Sequence, residues 1–375
     1  MVDAGREPAP STNSLQSSWL RVRDGATLYA DSAEHVALLV RTLGITELAW
    51  ASVLDRYAAL ADATLSVPRK LALLADAYRP AMVQAVPLPA VPALTCPACL
   101  QSILQPLLAR TSGAVGAVPL VYGRCAACGH GSLIHGGAVP SVYEQERYFE
   151  RRGPDGVGYE AYENERAYRE SKGARLLERI ERELPPVVGA GARTSVEVGS
   201  GFGFTRAAAI LRGWRAEGVD PNPAAARAAQ RLYGLDTTTA TLAEALASGA
   251  VPAAGADLVL YQFVLEHIAD PGRELEHARA ALKPGGLVVF VVPNMASFEV
   301  AVFGASYRSF RADHPHLFSV ASARAYLARA GLAWVAHESV CSLNLLEGFM
   351  STQALAELYA QDLGPDLIVM ARRAS

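Results

Sequence analysis

The 375-residue chain lacks any apolar run near the ~18 residues that a membrane helix needs; the core run Leu287 to Val292 is only six residues long. No transmembrane helix and no membrane partner are expected. It also lacks a net charge of consequence, with 34 Lys and Arg against 37 Asp and Glu and a formal net charge of −3. Such a balance exerts no global pull toward nucleic acid or an anionic surface, so contact with either would need a local patch. Asp3, Arg6 and Glu7 stand where a secretory leader would place apolar residues, so no signal peptide is expected, and a cytoplasmic protein is. Charged residues are scarce at 19%, hydrophobic residues make up 51%, and the mean hydropathy is +0.16, which excludes a disordered chain and supplies a sizeable core. The length suits roughly two or three domains.

Only five cysteines are present, and four form two tight pairs, Cys96-Pro-Ala-Cys99 and Cys125-Ala-Ala-Cys128. Each C-x-x-C turns two thiolates toward one point, and two such knuckles complete a tetrahedron around a structural Zn²⁺. Without a secretory leader a disulfide framework is not expected, and a redox C-x-x-C needs no second copy. Cys341 stands alone and is expected to be a buried apolar thiol. Between Cys96 and Cys128 only Arg110 and Arg124 are basic, too few for a phosphate grip, so nucleic acid is not an expected partner.

Four regions are expected: 1–95, helical after a polar start and without an assigned role; 96–140, the zinc module; 141–194, a tyrosine-rich helical lid or connector; and 195–375, an α/β domain. From Ser195 onward, short apolar strands at Val196–Val198, Ala216–Val219, Leu258–Tyr261 and Leu287–Val292 alternate with helical runs such as Pro223–Tyr233 and Glu274–Leu282. Strands near Ala333–Val340 and Leu367–Ala371 close the pattern. This order predicts a parallel, doubly wound, Rossmann-like sheet.

The first of these strands runs into Glu197-Val-Gly-Ser-Gly-Phe-Gly203, with glycines at 199, 201 and 203. Glycine there permits positive φ and close approach of a ligand to backbone. The spacing is G-x-G-x-G, with Phe204 in the last position of the nicotinamide fingerprint G-x-G-x-x-G. Asp220 ends the next strand in Gly218-Val-Asp-Pro-Asn222. A carboxylate at a strand tip can accept hydrogen bonds from both hydroxyls of a ribose; the alternative is a helix cap before Pro221.

At these residues the chain resembles the class I S-adenosylmethionine-dependent methyltransferases. The segments Asp257-Leu-Val-Leu-Tyr-Gln-Phe-Val-Leu-Glu-His267, Leu282-Lys-Pro-Gly-Gly-Leu287 and Asp313-His-Pro-His-Leu-Phe-Ser319 are similar as well. Some small-molecule members also carry paired C-x-x-C knuckles upstream of a tyrosine-rich segment, here Tyr143 to Phe149. The resemblance implies a seven-stranded sheet and S-adenosylmethionine as cofactor. Glu197 would orient the cofactor's amino group. The loop Gly199, Ser200, Gly201, Phe202 and Gly203 would face its methionine part, and Asp220 with Pro221 its ribose. Thr241 and Leu242 would meet adenine through backbone, and Gln262 and Phe263 would border the transferring methyl. Tyr159 and Tyr162 are candidate lids over this cleft.

A hydroxyl acceptor needs a general base near neutral pH, and histidine suits it. His267 follows the fourth strand, and His314 and His316 follow the fifth, at the sheet edge where open α/β sheets bind ligands. Each is a candidate, against the alternative of a loop-anchoring histidine. Glu266-His267 is similar to a divalent-ion pair of quinone-pathway O-methyltransferases, but Phe263 stands at their additional acidic position, so no catalytic metal is expected. The segment Met295 to Arg311, with Phe298, Phe303, Tyr307 and Phe310, is a candidate acceptor wall. The expected function is methylation of a small molecule, at a hydroxyl, in natural-product or quinone-like metabolism. Carbon methylation of a nucleotide sugar is the alternative, with RNA or protein as a more remote acceptor. Whether the chain forms a homo-oligomer is open.

Overall fold

The computed structural model describes residues 93–110, 120–136, 146–150, 158–159, 162–184, 191–297, 299–300, 307, 309–340, 356 and 359–374. The expected helices before residue 83, Cys341, Tyr143, Phe298 and Phe303 lie outside them. In chain order the elements begin with β1 (Leu104–Arg110), β2 (Leu120–Cys125) and β3 (Gly131–His135). Short 3-10 turns at Glu146–Phe149 and Tyr162–Glu165 precede α1 (Arg166–Glu183). Then follow β4 (Thr194–Val198), α2 (Phe204–Leu211), β5 (Arg215–Val219), α3 (Pro223–Tyr233), α4 (Leu242–Ala247), β6 (Ala256–Gln262), α5 (Pro271–Ala281) and β7 (Leu282–Pro293). The last are β8 (His316–Leu317), α6 (Val320–Arg329), β9 (Leu332–Val340) and β10 (Asp366–Arg373).

Six strands form the large sheet, in the order β5-β4-β6-β7-β10-β9. β5, β4, β6 and β7 run parallel, and β10 lies antiparallel to both β7 and β9. At the β5 edge the single residue Thr238 bridges in parallel to Val219. Among the described residues this one bridge stands in the place of the seventh strand. Alternation along β7 explains the two covered faces. Val288, Phe290 and Val292 pack with Leu275 and Ala278 of α5 and Leu327 of α6. Leu287, Val289 and Val291 pack with Leu176, Leu177 and Ile180 of α1 and Ala208 of α2. Burial on both faces is why these strands read as continuous apolar runs.

The helix starts follow ordinary capping chemistry. Asn222 caps α3 ahead of Pro223, and Asp270 caps α5 ahead of Pro271. Thr241 with Glu244, and Ser319 with Ser322, form capping boxes for α4 and α6. Among the described residues no helix is long and apolar enough to cross a membrane.

A second, four-stranded sheet has the order β1-β2-β3-β8. Its last strand comes from beyond β7, so the cysteine module and the α/β domain share one sheet. Further links join them. Arg329 of α6 donates to the carbonyls of Pro97 and Ala98 at 2.6 and 3.1 Å, and Ser319 Oγ donates to the carbonyl of Cys128. The buried Cys96, Leu104 and Cys125 belong to the same apolar cluster as α5 and α6.

Candidate functional site

The glycine loop leaves β4 with positive φ at Gly199 (64°), Gly201 (51°) and Gly203 (80°). A Cβ on Gly199 would lie 2.4 Å from Val264 Cγ2, so no side chain fits there. The amides of Gly199 and Ser200 both donate to the carbonyl of Val219, at 2.8 and 3.2 Å. The amide of Gly201 donates to Asp220 Oδ2 at 2.8 Å, and Asp220 Oδ1 accepts the amide of Asn222 at 2.9 Å. Asp220 is therefore not the cap of α3, which is Asn222. Each of its oxygens has a second lone pair to offer a ligand. Burial raises the Asp220 carboxyl to about 6.

Glu197, on β4, is buried beside this loop at 6% exposure. Its Oε1 accepts Gln262 Nε2 at 2.9 Å, and the same amide nitrogen donates to Thr205 Oγ1 at 2.6 Å. Its Oε2 is buried and has no hydrogen-bond partner. Burial pushes the carboxyl up to about 7, against the pull of Gln262 and Arg206. Arg206 is itself buried, holding Thr237 Oγ1 at 2.8 Å and the Asp236 carbonyl at 2.6 Å.

Tyr162 covers the loop, its hydroxyl 3.1 Å from where a Cβ of Gly201 would stand. It meets Tyr159 at a ring distance of 4.6 Å, and Arg169 of α1 lies 4.2 Å over its ring. Tyr148, Phe149, Phe202 and Phe204 complete this aromatic roof. Phe202 is thus part of the roof. Phe263 has a positive φ of 56° and packs toward α1, with Lys172 Nζ 4.4 Å over its ring. Pro221 is half-buried between Asp220 and Asn222, Thr241 serves as the α4 cap, and Leu242 is buried. The amide of Asp220 donates to the Thr238 carbonyl at 3.0 Å, which brings the 238–242 segment alongside Asp220.

The three candidate histidines have different hydrogen-bond partners. His267 Nδ1 contacts the Asp313 carbonyl at 2.7 Å. A carbonyl only accepts, so Nδ1 carries the proton and Nε2 is the basic nitrogen. Burial lowers the His267 pKa, so the ring is neutral near pH 7. The Asp313 carboxylate stands 3.9 Å from Nδ1 and is held by Arg311 through two contacts of 2.8 Å. Burial opposes its charge, but Arg311 brings Asp313 down to about 2. His314 is buried with Nδ1 3.0 Å from the Ser309 carbonyl, edge-on to His267 at a ring distance of 4.6 Å. His316 has both nitrogens engaged: Nε2 with the Ala269 carbonyl at 3.1 Å and Nδ1 with His130 Nε2 at 3.2 Å. Ligand atoms of Glu266, His267 and His314 all lie within 4.8 Å of one another.

A cavity of about 440 Å³ lies between the module and the α/β domain, with His267, Asp313 and His316 on one side and Leu104 and Ile134 on the other. That volume is of small-molecule size.

Cys96, Cys99, Cys125 and Cys128 place their sulfurs within 4.8 Å of one another. Cys96 and Cys128 are 3.6 Å apart, as are Cys99 and Cys125. A tetrahedron with Zn–S bonds of ~2.3 Å has edges of ~3.8 Å, whereas a disulfide needs ~2.05 Å. The donor set fits a tetrahedral ion and not two disulfides. Positive φ at Leu100 (59°) and Gly129 (71°) closes the two knuckles, each through an amide that bonds back to the first cysteine's carbonyl.

Sequence pattern does not single out Tyr122, His130 or Ser132, and it marks Arg311 only as the end of the Met295 to Arg311 segment. Tyr122 Oη contacts the carbonyls of Arg311 and His314 at 2.6 and 2.8 Å and accepts the Arg311 amide at 3.0 Å. Nothing local marks a β2 tyrosine for this, since its partners lie as much as 192 positions away. Asp313 was visible only as part of a similar segment.

Comparison with known proteins finds methyltransferases. Residues 166–337 match the sequence model of a family described as "Methyltransferase domain". A ubiquinone biosynthesis O-methyltransferase of Methylobacterium sp. is 34% identical over 121 residues, covering 30% of this chain and 47% of that one. The enzyme of that name from Caulobacter vibrioides is 31% identical over the same shares. The chain thus spans about half the length of the curated relatives it matches. A solved SAM-dependent methyltransferase from Archaeoglobus fulgidus aligns with a TM-score of 0.41 at 19% identity, covering 55% of this chain and 94% of that one. The match to the methyltransferase-domain model thus lies in the α/β part of the chain and takes in a little under half of its residues.

Proposed function

We propose that the protein transfers a methyl group from S-adenosylmethionine to a hydroxyl of a small molecule. The observation that carries this is Glu197 Oε2, a buried carboxylate oxygen without a partner beside a glycine loop. An unsatisfied buried oxygen of this kind is costly, and the cofactor's ammonium supplies the missing donors. The remaining lone pairs of Asp220 suit the two ribose hydroxyls. The missing side chain of Gly201 leaves Tyr162 room to sit over the loop, and the methionine part lies against the loop backbone under Tyr162 and Tyr159. Thr241, Leu242 and Pro221 then border the adenosine, and Phe263 and Ser200 flank the methionine.

When bound, the sulfonium supplies an already activated methyl group. The chain's own work is alignment, exclusion of water and removal of one proton. His267 Nε2 takes the acceptor's hydroxyl proton. Asp313 faces the imidazolium so formed and stabilises it, while Arg311 keeps Asp313 ionised. His314 and His316 anchor the loop around this base. The relatives' name, ubiquinone biosynthesis O-methyltransferase, supports a hydroxyl acceptor. One zinc at the four cysteines holds the module without entering the chemistry.

Calorimetry with S-adenosylmethionine tests the reading. Binding is expected, and Asp220→Ala should weaken it by about 1.5–3 kcal/mol, the worth of hydrogen bonds to a charged group. Equal affinity in the variant removes Asp220 from the site, and absence of binding to the wild type rejects the function.

A further inference from the structure

The cavity between the module and the domain has two kinds of wall. Leu94, Leu104 and Ile134 give it an apolar side, and His267 and Asp313 a polar one. Ser132 also lines it, and the Ser132 hydroxyl is buried with no hydrogen-bond partner. Register explains this convergence. Ser132 of β3 pairs directly with His316 of β8, so their side chains leave the small sheet on one face. Ile134, two residues along β3, shares that face. Gly123 of β2 pairs with Ser132, and a Cβ there would stand 3.1 Å from Leu104 Cβ and 3.3 Å from Ile134 Cδ1. The absent side chain is what lets Leu104 and Ile134 close up against the small sheet. Among the described residues the lining contains no lysine or arginine.

We propose that this cavity is the acceptor site and that it selects an uncharged, ring-sized alcohol or phenol. The apolar frame lies on Leu104 and Ile134, a second polar substituent satisfies Ser132, and the reacting hydroxyl meets His267. A phosphorylated acceptor, a nucleotide sugar included, would bring two or more negative charges to a lining without a counter-cation, beside the ionised Asp313. The proposal rests on the methyl-transfer reading above and names its acceptor class.

The test is equilibrium binding to the full chain, with naphthol and naphthyl phosphate as probes and S-adenosylmethionine titrated in parallel. Naphthol should bind, and naphthyl phosphate should bind at least about tenfold more weakly. Ile134→Trp fills the cavity and should weaken naphthol by about tenfold or more, with S-adenosylmethionine affinity kept within about twofold. Gly123→Ala pushes Leu104 and Ile134 inward and should weaken naphthol in the same direction, which keeps the test alive should the tryptophan variant fail to fold. Failure of naphthol to bind, equal binding of the phosphate, or unchanged naphthol affinity in both variants would overturn the proposal. Loss of S-adenosylmethionine binding by the wild type strikes the methyl-transfer reading instead, and leaves the naphthol result to be judged by itself.

Discussion

The two ends of the site are put together in opposite ways. At the proposed cofactor end, Glu197, the glycine loop and Asp220 come from two neighbouring strands, and their bonds stay within the α/β unit: Gly201 reaches Asp220 across 19 positions and Gln262 reaches Glu197 across 65. At the proposed acceptor end, the cavity is walled by residues 94–134 on one side and 267–316 on the other. Its ties span 186 positions from His130 to His316 and 191 from Cys128 to Ser319. The cofactor end is thus a property of one folding unit. The proposed acceptor end draws its lining from both the cysteine module and the α/β domain, so the two should fail separately.

The most severe way to test that separation is Cys125→Ser. A structural zinc contributes of the order of 10 kcal/mol to a small module, and a three-cysteine set cannot close the tetrahedron. The expected result is loss of the bound metal and of methyl transfer to any acceptor, with S-adenosylmethionine affinity within about threefold of wild type by calorimetry. Parallel loss of cofactor binding would show that the two ends form a single unit.

His267→Asn acts within the acceptor end alone. A positioned general base is worth roughly 10²–10⁴ in rate. The variant should lose that much in kcat while retaining cofactor affinity, and the acidic limb of the pH–rate profile should disappear with it. A drop confined to KM would reassign His267 to binding.

Glu197→Gln probes the other end through pH. In the cofactor-free protein burial holds Glu197 at about 7, above its ordinary 4.5, with Gln262, Arg206 and Thr205 pulling down and Asp220 pushing up. The folded state therefore binds this proton more tightly than the unfolded chain. The resulting stability is full below about 4.5 and is lost as pH rises through about 7. Cofactor affinity runs the opposite way, because the ammonium needs the carboxylate. From pH 7 to 6 it should fall by up to about tenfold. The glutamine variant should bind S-adenosylmethionine about tenfold more weakly at pH 8, with much of that pH dependence removed. Asp220, raised to about 6, leaves a remainder at lower pH. An unaltered pH profile would separate Glu197 from the ammonium.

The same contrast governs what could be read from the residues in order. Strand, glycine loop, strand and terminal Asp220 are contiguous chemistry, so they were legible, as were the four cysteines and the alternation of strands and helices. The sheet edge was less so: Thr238 makes a bridge and not a strand, a distinction of one or two hydrogen bonds that local pattern does not encode. The roles of the histidines were less legible still. His267, His314 and His316 look equivalent in sequence, and their partners, the Asp313, Ser309 and Ala269 carbonyls and the His130 imidazole, have no local signature. The sharing of β8 between the module and the domain is a long-range pairing with no sequence signature.

Tyr122→Phe is the mildest break and the most specific to the tie between module and domain. The Tyr122 hydroxyl shares its proton between the carbonyls of Arg311 and His314 and accepts the amide of Arg311, while its ring packs on Phe310 at 4.7 Å. Phenylalanine keeps the packing and removes only the hydroxyl, leaving buried backbone groups unpaired at a cost of about 1–3 kcal/mol. Asp313 lies within this clamped turn, and its carbonyl is what sets the tautomer of His267. Loosening the turn should therefore reach the base without touching the cofactor: a several-fold fall in kcat and a shifted acidic limb, with S-adenosylmethionine affinity unchanged. A variant that only melts earlier, with kcat and pH profile intact, would make Tyr122 a structural tie between module and domain and nothing more.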